Sequence, residues 1–254
     1  MSRLEKIELG KFSSIPIEFF KPETKLTLQD YLSKAIEAFY DEDFEAAIFF
    51  YAKVLEINKH SIEAWFGQIR SLIELKELGA AKKRFKTAKY VLGELPELMS
   101  LQALLECYGG KVKEAIRLSD ASIERTEKAT FPWFIRGLIY LMKGVKKKPE
   151  YWFTQAITTD PVNMYLKVDI GRACYKYGQP ALTVQFLYQT TTMGARCFSY
   201  YYYLFKAAMK LKKYDRAKES FERLKIYASE DERKTKLLDV IRNSREFKKY
   251  IATS

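Results

Sequence analysis

The chain has 254 residues, 48% hydrophobic and 30% charged, so it can bury a sizeable core and is not disordered as a whole. Its net charge is +12, and its scarcity of glycine (11) and proline (7) disfavours an all-β protein. No stretch is apolar enough to predict a membrane span.

The first 27 residues lie outside the pattern that organises the rest of the chain. Residues 1–10 alternate charged and apolar residues, which argues against a secretory signal. We expect residues 1–27 to form an extended arm over the helices that follow, or to be disordered when isolated. Three cysteines without metal-ligand spacing (Cys107, Cys174 and Cys197) add to the expectation of a reduced, cytoplasmic protein.

From about residue 28 to residue 231, the sequence repeats with a period of 34 residues. Alanine recurs at this spacing at Ala47, Ala81, Ala115 and Ala217. Mostly large apolar residues follow four positions later, with Ser119 as a departure in the third copy. A second column of mostly large residues lies sixteen positions upstream of the alanines. Several columns in step over six periods predict six copies of one structural unit.

Each copy is predicted to be a pair of amphipathic helices. In the fourth copy, Trp133, Gly137 and Tyr140 share one helical face, and Gly144 ends that helix. Small residues in the alanine column would let the paired helices approach closely. Gly137 and Gly171 would likewise accept a large side chain from the partner helix. Pro149 replaces an alanine and is tolerable in the first turn of a helix.

The stretch Trp133-Phe-Ile-Arg-Gly137-Leu-Ile-Tyr140, followed by Phe153-Thr-Gln-Ala156 and Pro161, resembles a tetratricopeptide repeat. The resemblance implies an all-α, right-handed superhelical solenoid of about six helix-turn-helix repeats. It also implies three parts: an N-terminal arm (1–27), the repeats (28–231) and a C-terminal capping helix (232–254). The repeats would begin near Leu28, Ile62, Pro96, Thr130, Met164 and Phe198.

The residues that usually carry catalysis are poorly represented. His60 is the one histidine in the sequence and falls in a predicted loop, which argues against a histidine-based metal site or triad. Gly109-Gly110 lacks the spacing of a phosphate-binding loop and fits an inter-helix turn. The acidic run 41–43 fits the same turn of the first repeat, where an aspartate would cap the second helix. We therefore expect no enzyme, no cofactor and no metal.

By resemblance to the family, the first helices of successive repeats line a concave groove. Its central part would be apolar: Leu101, Leu104, Phe131, Phe134, Ile135 and Leu138. Toward the C-terminus it would be aromatic and basic: Tyr165, Arg172, Tyr175, Tyr202, Tyr203, Lys206 and Lys210. Two alternatives stay open, namely that the arm or internal packing covers the apolar part, and that the cations form an ordinary solvated face.

The charge distribution bears on the partner. Residues 1–130 carry 20 basic and 21 acidic side chains, whereas residues 131–254 carry 24 and 11. We therefore expect a protein-interaction scaffold that grips an apolar or amphipathic, partly acidic segment of another protein. The alternatives are a nucleic-acid-binding protein that uses the basic C-terminal half, and an enzyme or its regulatory subunit.

Overall fold

The computed structural model describes residues 26–126, 130–144, 148–188, 197–228 and 231–250. Fourteen helices and no strand occur in these ranges. The chain divides into two compact units, residues 1–127 and 128–254. The all-α repeat fold expected from the 34-residue period is thereby confirmed, while the predicted arm falls almost wholly outside the described residues.

The first unit contains three helix pairs. They are α1 (Leu28–Tyr40) with α2 (Phe44–Ile57), α3 (Ile62–Glu74) with α4 (Leu78–Leu92), and α5 (Pro96–Tyr108) with α6 (Val112–Glu124). The second helix of each pair packs against the first helix of the same pair. Within this unit, α2 also packs against α3, and α4 against α5.

The second unit contains three further pairs and a C-terminal extension. The pairs are α7 (Thr130–Met142) with α8 (Lys148–Thr159), α9 (Met164–Lys176) with α10 (Pro180–Tyr188), and α11 (Phe198–Lys210) with α12 (Tyr214–Ala228). The extension consists of α13 (Glu232–Asn243) and α14 (Arg245–Tyr250), which Ser244 separates. The first helix of each pair begins 34 residues after the previous one throughout the chain. Pro149 lies in the first turn of α8, where its missing N–H breaks no helical hydrogen bond.

The turn inside each pair places one residue in the left-handed region of the backbone. Glycine serves there in three pairs, with φ of 81° at Gly110, 71° at Gly144 and 76° at Gly178. In the other pairs the position is filled by Glu42, Lys76 and Lys212, with φ of 62°, 62° and 56°. Gly109-Gly110 is thus part of an inter-helix turn, as its place in the repeat predicts.

Polar side chains fix several helix starts. The Thr27 N–H donates to Asp30 Oδ2 at 2.8 Å and the Asp30 N–H donates to Thr27 Oγ1 at 3.2 Å, which is a capping box at the start of α1. The Ala46 N–H donates to Asp43 Oδ1 at 3.1 Å, so this member of the acidic run caps α2 as expected.

Glycine allows close helix contact at three places. A Cβ at Gly137 would overlap the ring of Phe153, and one at Gly171 would overlap the side chain of Leu187, each on the second helix of the same pair. A Cβ at Gly67 would overlap the ring of Tyr51 on the preceding helix. The prediction that Gly137 and Gly171 accept a large partner side chain is therefore confirmed.

The third pair is held partly by polar contacts. Ser122 Oγ donates to the Pro96 carbonyl at 2.6 Å, so the 2.7 Å bond between the hydroxyls of Ser100 and Ser122 has Ser100 as its donor. Both hydroxyls therefore have hydrogen-bond partners in a buried position, so neither Ser100 nor Ser122 leaves an unpaired polar group between the helices.

None of the described helices is long and apolar enough to cross a membrane. The partition into residues 1–27, 28–231 and 232–254 remains a prediction.

Candidate binding site on the second unit

The apolar residues expected to line the centre of the groove lie mostly in the interior. Leu101 and Leu104 of α5 are buried in the first unit. Phe134, Ile135 and Leu138 of α7 are buried in the second, where the Phe134 ring lies 6.0 Å from that of Phe153. These side chains contribute to the core, and their role in binding a partner remains a prediction. Phe131 is half-buried beside Phe134.

Two of the aromatic and basic residues are also internal. Arg172 is 4% exposed and pairs with the buried carboxylate of Asp169, with 3.1 Å between Nη2 and Oδ1. Tyr203 is buried against Tyr175, with 5.7 Å between ring centroids. The charge of Arg172 is thus compensated within the chain, which leaves it less suited to bind a partner than an exposed cation.

The remaining predicted residues, apart from Tyr165, come together. Tyr175 of α9 and Tyr202 and Lys206 of α11 are half-buried, and Lys210 is exposed on the next turn. The Lys206 ammonium lies 5.2 Å from the Tyr175 ring centroid and 5.0 Å from that of Tyr202, and it donates to the Tyr202 hydroxyl at 3.3 Å. Tyr165 is 40% exposed at the start of α9 and does not line the cleft described below.

These four residues form one wall of a cleft of about 580 Å³, hereafter the α11 cleft. Sequence reasoning missed the other residues that line it: Phe205, Met209, Lys212, Tyr214, Val240, Ile241, Ser244, Glu246 and Tyr250. In the sequence, Ile241 and Tyr250 belong to a broken stripe of apolar residues in the predicted capping helix. Such a stripe predicts that this segment packs on another element, but it does not specify that the element is α11.

The α14 helix is anchored by aromatic contacts at the edge of the α11 cleft. Phe247 is buried, and its ring lies 4.5 Å from that of Phe221 and 6.5 Å from that of Phe205. The rings of Tyr214 and Tyr250 stack at 4.4 Å with 3° between their planes. These contacts hold the far wall in place and therefore preorganise the cleft.

Burial and charge set the ionisation of the tyrosines. Burial raises the pKa of the Tyr175 phenol above 10.0, and the charge of Lys206 offsets part of that rise. A hydrogen bond and the positive charge of Lys249 lower the pKa of Tyr250, whereas burial and the neighbouring Tyr250 raise the pKa of Tyr214. Tyr175 is thus a neutral phenol at physiological pH, beside cationic lysines.

The histidine His60 and the buried cysteine Cys174 do not line the α11 cleft. His60 is exposed in the turn between α2 and α3. Burial raises the pKa of the Cys174 thiol far above its usual range, so it is protonated and unreactive at neutral pH. Within the described ranges, no group of histidine, cysteine and carboxylate side chains is arranged to hold a metal ion.

No protein-family model and no curated protein matches the chain. Solved structures do resemble it. A tetratricopeptide repeat protein from Parabacteroides merdae superposes with a TM-score of 0.52 at 17% identity, over 94% of this chain and 91% of that one. PilW, a widely conserved type IV pilus biogenesis factor, gives 0.50 at 14%, over 85% of this chain and 100% of its own.

A human IFIT1 dimer with m7Gppp-AAAA gives a TM-score of 0.53 at 15% identity, over 87% of this chain and 54% of IFIT1. This chain therefore spans about half of that protein. Identities this low establish a shared fold and do not extend to partners.

Proposed function

We propose that this chain, which has the fold of tetratricopeptide-repeat proteins, is a non-catalytic scaffold that binds an acidic segment of another protein at the α11 cleft. The observation that carries the proposal is the pairing of Lys206 and Lys210 with Tyr175 and Tyr202 at the cleft wall. Ammonium groups attract carboxylates, and tyrosines add contact area at small entropic cost.

The rings of Tyr175 and Tyr202 already contact other side chains, which favours a protein segment over single-stranded nucleic acid as the partner. Stacked bases need open aromatic faces. The Tyr202 ring is stacked on Phe198 at 5.7 Å and contacts Lys206, and Tyr175 contacts both lysines. A base would have to displace these cations, whereas a carboxylate can bind to them where they are.

The proposal is tested with short synthetic peptides of equal length that contain leucine and phenylalanine and either aspartate and glutamate or their amides. We expect the full chain to bind the acidic peptide about tenfold more tightly than the amide peptide, because the amides lack the charge. Lys206→Met/Lys210→Met keeps the aliphatic stems and should abolish most of that preference.

A matched control is Lys218→Met/Lys236→Met, which removes the same charge from exposed positions outside the cleft. It should change affinity less than about twofold, since exposed charges interact weakly through solvent. Equal binding of both peptides would contradict the proposal. So would tight binding of oligouridylate with a steep dependence on salt, which would identify a nucleic-acid-binding protein instead.

A further inference from the structure

The α11 cleft has the dimensions of a ligand site. Its volume of about 580 Å³ lies within the range of pockets that hold small molecules or single side chains. Its walls come from three separate parts of the second unit: α9, the α11–α12 pair and the C-terminal helices α13 and α14.

One wall concentrates positive charge on a single ring. The ammonium groups of Lys206 and Lys210 each lie 5.2 Å from the centroid of Tyr175. In the described part of the chain, neither forms an ion pair, and Lys206 has one hydrogen bond, to the Tyr202 hydroxyl. Because an ammonium group carries three donors, each lysine retains the capacity to bind an anion, and a bound anion would relieve their mutual repulsion.

The opposite wall is apolar with one acidic residue. Val240 and Ile241 of α13 line it, and Val240 is 70% exposed although it is a large aliphatic residue. Met209 adds apolar surface from α11. Glu246 is the one carboxylate among the described lining residues. Lys212 also lines the cleft, so three lysines and one carboxylate contribute to its charge, and the cleft is suited to an anionic group joined to an apolar body.

We propose that the α11 cleft binds a carboxylate attached to an apolar group, and that in a partner protein this anchor is an acidic residue next to a large apolar residue. The carboxylate binds between Lys206 and Lys210, and the apolar group packs on Met209, Val240 and Ile241. This inference rests on the proposed function because it names the part of the partner segment that enters the cleft.

The first test uses capped dipeptides with the full chain: acetyl-Asp-Phe-amide, acetyl-Asn-Phe-amide and acetyl-Asp-Ala-amide. Affinities are measured by chemical-shift titration. We expect the first to bind about tenfold more tightly than either of the others, since each lacks one half of the anchor. Equal affinities for acetyl-Asp-Phe-amide and acetyl-Asp-Ala-amide would overturn the apolar part of the inference.

The second test changes the rim of the cleft at Val240, whose exposure makes substitution compatible with folding. Val240→Lys adds a cation and should tighten acetyl-Asp-Phe-amide binding several-fold, whereas Val240→Glu should weaken it by about the same factor. Val240→Gln is the matched control, because it removes the apolar surface without adding charge. Identical effects of the Lys and Glu variants would place the ligand outside the cleft and overturn the inference.

A third probe, 4-phenylbutyrate, distinguishes a free carboxylic acid from a peptide. Binding of the dipeptide and of longer acidic peptides, both lost in Lys206→Met/Lys210→Met, supports both proposals. Binding of the dipeptide or 4-phenylbutyrate without any longer peptide would support the cleft and reject the scaffold function. Binding of longer acidic peptides that is insensitive to every Val240 variant would keep the scaffold function and reject this inference.

Discussion

At the scale of single residues, the fold depends on positions where only a hydrogen atom or a left-handed backbone fits. Gly67, Gly137 and Gly171 each face a large side chain at a distance that excludes a methyl group. The inter-helix turns add a second constraint, because residues with a Cβ pay a steric cost at positive φ.

Gly67→Ala should destabilise the chain by about 1–3 kcal/mol, because the new Cβ overlaps the ring of buried Tyr51. Gly79→Ala is the control in the same unit, since a Cβ there meets nothing and should stabilise α4 by about 0.4–1 kcal/mol. Urea denaturation measures both. Adding Tyr51→Leu to Gly67→Ala should recover part of the loss, and a strictly additive double variant would refute the contact as its cause.

Replacing the left-handed residue in a turn should act in opposite directions in different pairs. Gly178→Ala should cost about 1 kcal/mol, because φ is 76° there. Lys76→Gly removes the same strain from a turn where φ is 62°, and it should be neutral or stabilising because glycine's backbone entropy offsets part of the gain. Thermal melting of the two variants tests this, and a marked loss of stability in Lys76→Gly would be evidence against it.

At the scale of elements, each helix depends on its caps. The start of α13 is an instance: Asp231 accepts hydrogen bonds from the N–H groups of Arg233 (2.9 Å) and Lys234 (3.3 Å). Burial alone would raise the pKa of Asp231, but the backbone hydrogen bond from Lys234 and the charges of Arg233 and Lys234 lower it below 3.8. Since α13 carries Val240 and Ile241, this cap also supports the α11 cleft.

Acid should therefore loosen α13. A carboxylate whose pKa is lower in the folded state than in the unfolded state stabilises the fold fully at a pH above its unfolded-state pKa. That stabilisation is lost as the pH falls below 3.8 and through the folded-state pKa. In Asp231→Asn the cap persists without the charge, so the pH dependence of amide exchange in α13 should shrink. If amide exchange in α13 depends on pH as weakly in the wild-type chain as in Asp231→Asn, the charge of Asp231 is not the cause of the acid sensitivity.

At the scale of the whole molecule, the chain consists of two compact units with different chemistry. The second unit carries the excess of basic residues and the α11 cleft, and it also holds Trp133 and Trp152, whose rings stack at 5.3 Å. Trp65 is the one tryptophan of the first unit. The units can therefore be followed separately by optical spectroscopy.

A fragment of residues 128–254 should fold by itself. Repeats are stabilised mainly by contacts with neighbouring repeats, and the three helix pairs of this fragment are neighbours of one another. It should show a strong helical circular dichroism spectrum and a near-ultraviolet signal from the Trp133–Trp152 stack, which Trp152→Phe removes. It should also bind acetyl-Asp-Phe-amide as the full chain does. A fragment that is helical but lacks the near-ultraviolet signal would indicate that this unit needs residues 1–127 for its packing.

The helices, their pairing and their turns were predictable because they follow from short-range geometry. Helix spacing and helix approach within one pair depend on the 34-residue period, on alanines such as Ala47 and Ala81, and on glycines such as Gly137 and Gly171. The same pattern places Tyr175, Tyr202, Lys206 and Lys210 on the first helices of successive pairs, and in the structure all four line the α11 cleft.

Solvent exposure and the second wall of the α11 cleft were not predictable, because they depend on contacts between segments distant in the chain. Ile135 and Leu138 repeat like groove residues, yet stacking buries them. Arg172 looked like a free cation until the fold placed it on Asp169 in a buried pair. Val240 and Tyr250 line the same cleft as Lys206 because α13 and α14 pack beside α11 and α12. The helical period specifies the face of a side chain but not which distant helix will cover it.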